Sequence, residues 1–135
     1  MPLPALDFER LAAGPIRLGD SPEAAAPLGK PGKVRGKKGD ETHEYEGFEL
    51  QFQGGRLVCI KFDVDERTRV PIGDWHFART TKPMDVHVWF GEPASDSTGG
   101  GDLRWIDYER EGATLALEFD AKGLSCVQLY AAGFA

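Results

Sequence analysis

Long apolar runs are missing from this sequence, and so are the short motifs that mark familiar catalytic centres. Asp7, Glu9 and Arg10 interrupt the N-terminal stretch before an apolar run can reach the roughly 7 to 15 residues of a secretory leader. No run approaches the roughly 18 residues of a membrane span. The expectation is a cytoplasmic chain without a signal peptide and without membrane insertion. Cysteine is scarce, and Cys59 and Cys126 lie far apart without a CxxC pair, which excludes a disulfide framework or a zinc knuckle and suggests ordinary half-buried thiols. Ser21, Ser95, Ser97 and Ser125 stand outside any G-x-S-x-G elbow, and neither cysteine has a histidine near it in sequence. His43, His76 and His87 form no HxH or HxxxH pattern, so no metal site, cofactor or catalytic residue is expected.

With 135 residues and 41% hydrophobic content, the chain suits one core and is too short for two ordinary domains. A formal net charge of -6 repels nucleic acid and anionic membrane; it suits a basic protein partner, and is also an ordinary solubility charge. Five basic residues lie between Lys30 and Lys38, but without interleaved aromatics or Walker spacing, and Asp40, Glu41, Glu44 and Glu46 follow at once. That segment reads as a flexible polar loop rather than a nucleic-acid contact. Asp63-Val64-Asp65-Glu66 lacks the glycine and the roughly 12-residue loop of a calcium site and reads as a solvated strand end.

Three landmarks recur in order. Pro15-Ile16 with Gly19-Asp20 matches Pro71-Ile72-Gly73-Asp74, and Leu28-Gly29-Lys30-Pro31 matches Phe90-Gly91-Glu92-Pro93. Phe48 to Phe52, a turn, and Leu57 to Phe62 match Leu115 to Phe119, a turn, and Leu124 to Leu129. These matches predict one domain, 1–135, with internal repeats at about 15–66 and 71–135. Each Gly-x-Pro can close a helix, because glycine takes the left-handed conformation and proline cannot continue it. In the first copy Asp20 or Ser21 caps a helix that Pro22 begins. The second helix would begin near Thr81, Lys82 or Pro83, although Val86-His87-Val88-Trp89-Phe90 alternates like a strand and only the repeat argues for helix. The expected class is α+β: two degenerate units, each a helix plus an antiparallel meander, forming one sheet with the helices on one face. Polar loops are expected at 32–42 and 94–102, the latter loosened by Gly99-Gly100-Gly101.

Period-two alternation predicts the faces. Phe48, Leu50 and Phe52 with Val58, Ile60, Phe62 and Val64 would face the core, as would Leu115, Leu117 and Phe119. Leu57, Cys59, Lys61 and Asp63 would lie opposite with Glu49, Gln51, Ala116 and Glu118, joined by Leu124, Cys126, Gln128 and Tyr130. Trp and Tyr among carboxylates are typical of protein contacts. The candidate partner-binding face therefore comprises Glu49, Gln51, Lys61, Asp63, Trp75, Trp105, Asp107, Tyr108, Glu118 and Tyr130.

The pattern I-x-L-G, helix, L-G-x-P, loop and strand meander is carried by Ile16, Leu18, Gly19, Leu28, Gly29, Pro31 and Arg56-Leu57, and again by Phe90, Gly91, Pro93 and Gly123-Leu124. It resembles the β-lactamase-inhibitor-protein-like fold, shared in outline with the BamE/SmpA outer-membrane assembly lipoproteins, over most of the chain past residue 14. The resemblance implies two helix-plus-sheet units whose sheets line a concave, protein-gripping face. This chain departs from it in shorter copies, no secretion signal and no lipobox cysteine near the start; a shared target does not follow from shared architecture. The expectation is a protein-binding inhibitor, an immunity protein that neutralises a toxin or enzyme by direct binding. Two alternatives stand beside it: a small enzyme or ligand-binding protein with a site between the repeats, for which Asp107 and Glu118 are the carboxylates, and an accessory of an envelope or secretion assembly.

Overall fold

Glycines that take positive φ, at Gly39, Gly47, Gly54, Gly55 and Gly112 among others, break the chain into short strands that turn back on themselves, as hairpin turns require. The computed structural model describes residues 3–134. Eight strands form one antiparallel sheet. Its first half is β4 (Lys33–Lys37), β5 (Asp40–Tyr45), β6 (Phe48–Gln53) and β7 (Arg56–Asp63); its second is β10 (Ser95–Thr98), β11 (Arg104–Arg110), β12 (Ala113–Asp120) and β13 (Gly123–Ala131). The order across the sheet is β10-β11-β12-β13-β7-β6-β5-β4, so two four-stranded meanders meet along the β13–β7 seam. A smaller sheet combines β1 (Leu6–Asp7), β2 (Ala12–Ala13) and β3 (Ile16–Arg17) with β8 (Val70–Ile72) and β9 (Trp75–Phe77) in the order β3-β2-β1-β8-β9. Its one parallel pairing joins Leu6 to Ile72.

The expected α+β class, one sheet with helices on one face, is overturned: the protein is mostly β, with 49% strand against 11% helix, and has two sheets. Five segments account for the difference. Residues 6–17 and 70–77, given no strand by the sequence, form the small sheet, joined through the Leu6–Ile72 pairing. Leu6, Ala13, Ile16, Val70, Ile72 and Phe77 share one hydrophobic cluster with the large sheet, so the small sheet joins the helices in covering the core. Of the segment 32–42, expected as a loop, residues 33–37 and 40–42 belong to the β4–β5 hairpin, and 95–98, within the second expected loop, is an edge strand. The first helix is only a 3-10 turn, Pro22–Leu28, with Pro27 inside it and Ala25 its one buried residue, since an internal proline breaks the α-helical ladder.

Pro83–Phe90 is an α-helix, α1. Pro83 sits in its first turn, and the Asp85 carboxylate accepts the Lys82 amide at 2.9 Å. Gly91, at φ 80, closes the helix through its N–H to the His87 carbonyl at 2.8 Å. End chemistry outweighs the β-branched alternation within the segment.

Alternation describes the large sheet except at two bulges. In β6–β7, Gln51 faces Cys59 and Phe52 faces Leu57, leaving Val58 as the extra residue; in β12–β13, Glu118 faces Cys126 and Phe119 faces Leu124, leaving Ser125 extra. One added residue reverses the facing of what precedes it. Leu57 and Leu124 are therefore fully buried with the core, while Val58 is only partly buried, correcting the face expected for all three. At both bulges the chain that enters the neighbouring helix docks on the displaced leucine. Leu57 exchanges backbone hydrogen bonds with Gly19 and Asp20, each at 2.8 Å, and Leu124 donates to the Arg79 carbonyl at 3.3 Å.

Candidate functional site

Cross-strand register defines the hydrated face of the large sheet. One row runs Glu44, Glu49, Lys61, Gln128, Ala116, Asp107, Ser95. Flanking it are Gln51, Cys59, Tyr130 and Thr114 on one side and Asp63, Cys126, Glu118, Trp105 and Ser97 on the other. Of the ten candidate residues, Glu49, Gln51, Lys61, Asp63, Trp105, Asp107, Glu118 and Tyr130 thus share one face. Tyr108 and Trp75 do not. Tyr108 alternates to the core side, 5% exposed, and its hydroxyl donates to the Gly91 carbonyl at 2.9 Å, which fastens the end of α1 to the sheet. Trp75 belongs to β9 in the small sheet and stacks on Trp89 of α1, with ring centroids 5.5 Å apart.

The side chains of this face are tied to one another. Trp105 Nε1 donates to Glu118 Oε2 at 3.1 Å, and Ser125 Oγ donates to the other carboxylate oxygen at 3.3 Å. Gly99 packs directly against the Trp105 ring, where any Cβ would run into the indole; the glycine run expected to be loose thus supplies a close approach. Gln51 Nε2 donates to Glu49 at 3.1 Å, and Arg35 at the sheet edge pairs with Glu44 at 2.6 Å. Burial raises the Asp107 carboxyl above the usual range, although the Ser95 hydroxyl donates to it at 3.2 Å and opposes the rise.

The two thiols flank Gln128. Cys59 Sγ donates to its Oε1 at 3.9 Å, and its Nε2 donates to Cys126 Sγ at 3.6 Å. Burial pushes Cys59 up to about 12 and Cys126 up to about 11, the signature of inert rather than nucleophilic thiols. Both are buried, rather than half-buried as expected.

Elsewhere, Asp65 receives the Arg67 amide and the Thr68 hydroxyl, each at 2.8 Å, so the acidic run is a turn. His43 meets Glu41 at 2.8 Å and packs against Phe52. Among the described residues no group of three or more His, Cys, Asp or Glu comes together in a way that could hold a metal ion, and no helix is long and apolar enough to cross a membrane.

A further concavity lies away from the sheet face and was not legible from sequence. It is an open cleft of about 1100 Å³ between β1, the β8–β9 turn and the end of α1, lined by Phe8, Trp75, Trp89, Phe90 and Tyr108 among charged residues. Periodicity cannot register four chain segments converging. A solvent-directed Trp75 beside the Gly73-Asp74 turn was the one available signal.

No protein-family model matches this chain, and no curated protein matches it. Among solved structures, it is similar to the crystal structure of a DUF4309 family protein, YjgB, from Bacillus subtilis subsp. subtilis str. 168. That likeness has a TM-score of 0.59 at 15% sequence identity and covers 88% of this chain and 84% of the other. It is a likeness of fold.

Proposed function

We propose that this chain is a protein-binding inhibitor, an immunity protein acting in the cytoplasm that neutralises a toxin or enzyme by covering it with the hydrated face of the eight-stranded sheet. The observation that carries the proposal is the breadth of that face: aromatic and charged side chains share a surface several strands wide, apart from the cleft beside α1. Carboxylates on it (Asp40, Glu44, Glu49, Asp63, Asp107, Glu109 and Glu118) outnumber the cations Lys33, Arg35, Lys37, Arg56 and Lys61, which suits a basic partner and fast, salt-sensitive association. The ties between Trp105, Glu118 and Ser125 hold an aromatic anchor in place before binding and so reduce the ordering cost. The resemblance of the sequence landmarks to inhibitor proteins of tandem architecture belongs to the same proposal, as does an origin of the two meanders by duplication.

The test is purification of the chain with its co-expressed genomic neighbours. A stoichiometric complex is expected, lost in Glu49→Arg or Asp107→Arg while circular dichroism stays unchanged. Absence of any complex, together with cells unharmed by deletion of the gene, overturns the proposal.

A further inference from the structure

The cleft beside α1 has a construction that the sheet face lacks. Trp75 and Trp89 stack within 10° of parallel, and Phe90 stands edge-on to Trp75 at 63°. One face of Trp75 is thus covered by Trp89, yet the residue remains 42% exposed, so its outer face is an open indole platform. Burying that platform would remove apolar area from water. The acidic residues Asp7, Glu9 and Glu92 line the cleft beside Arg10 and Arg110. Arg110 already spends its Nε on the Glu9 carbonyl at 3.2 Å. An indole face presents the negative side of its quadrupole, and an acidic excess around it adds to the attraction for a cation.

We propose that this cleft receives a basic side chain, lysine or arginine, of a protein partner, with Trp75 as the platform and the acidic rim as counter-charge. The inference rests on the protein-binding function proposed above and adds to it a second, separate contact with a defined chemistry. An aliphatic stem lies against Trp75 and Phe90 while its charged end stays at the wet rim, the arrangement that long cationic side chains adopt.

Intrinsic tryptophan fluorescence of the full chain, titrated with blocked trilysine peptide, tests this directly. Saturable binding is expected. It should weaken about tenfold in Trp75→Ala, the scale of losing one cation–aromatic contact, and also weaken in Glu92→Gln, which leaves the aromatic shelf intact. The same peptide with Nε-acetylated lysines should not bind. Equal binding of the acetylated peptide, binding of methyl glucoside in its place, or an unchanged titration in both variants overturns the inference. Asp107→Arg separates the two proposals, because it should abolish the partner complex and leave the peptide titration intact. A partner complex that survives alongside a flat peptide titration overturns the cleft alone; peptide binding without any partner supports the cleft and overturns the sheet face.

Discussion

The two halves of the large sheet are built alike and finished differently. Each is a four-stranded antiparallel meander, the first preceded by a 3-10 turn and the second by α1, and each carries one bulge on its return strand, one residue beyond a buried leucine. What differs lies at the turns and edges. The β6–β7 turn is open at Gly54 and Gly55, whereas Gly123 is pressed against the Arg79 carbonyl. The first outer strand is fully exposed and basic; the second is a serine-aspartate strand held by Arg104. Burial on both sides of the seam constrains the shared plan, while solvent tolerates divergence at its margins.

The seam gives the largest expected effect. Ile60 and Leu129 face each other across it with no exposure, and either residue changed to alanine should lower the unfolding free energy by about 2–5 kcal/mol. Urea denaturation followed by fluorescence and circular dichroism should stay a single coincident transition. Two separated transitions would show that the halves fold independently and break the comparison at its root.

Next come the matched turns. Gly123 has φ +132 and its Cβ would meet backbone, while Gly55, at φ +76, faces open space. Gly123→Ala should cost about 2–3 kcal/mol and Gly55→Ala about 1 kcal/mol. Equal losses in thermal melts would remove the distinction between a turn that is merely bent and one that is packed.

The thiols offer a smaller contrast. Cys126, pushed up to about 11, should ionise about tenfold more readily than Cys59, pushed up to about 12. Cys126 should therefore react first with a disulfide reagent at pH 8, and both should react far more slowly than in denaturant. Between about pH 9 and these values the folded chain keeps protons that the unfolded chain has lost, so stability should fall as pH rises through that window. Flat stability from pH 9 to 11 would contradict the burial of both groups.

The edge ion pairs are the smallest term. Arg104 holds Asp96 through two hydrogen bonds, at 2.9 and 2.7 Å, while Arg35 reaches Glu44 with one at 2.6 Å. Arg104→Ala and Arg35→Ala should each cost less than about 1 kcal/mol, the bidentate pair more, and both less in high salt. The Arg104 guanidinium holds Asp96 below the usual carboxylate range, so its share is present at neutral pH and is lost on acidification. A larger loss for Arg35→Ala would reverse the ranking of the two edges.

Alternation placed Glu49, Gln51, Lys61, Asp63, Trp105, Asp107, Glu118 and Tyr130 on one face, because a strand's side-chain period is a local property of its backbone. The same period misplaced Leu57 and Leu124, since a bulge is settled by what docks on it: Gly19 and Asp20 in one half, Arg79 in the other. Tyr108 stood among the surface candidates by residue type alone, against that period, which puts it opposite Trp105 and Asp107 and under the end of α1.

Composition, the placement of glycine and proline, and alternation were enough to place the β6–β7 and β12–β13 turns, the strand faces away from the bulges, and Gly91 as the stop of α1. Tertiary structure alone decided that residues 6–17 and 70–77 form a second sheet, that the basic segment is an edge hairpin, and that Trp75, Trp89, Phe8 and Glu92 meet in one cleft. Short strands of two or three residues have too few neighbours to specify themselves; they exist only because distant segments pair with them and bury them against the same core.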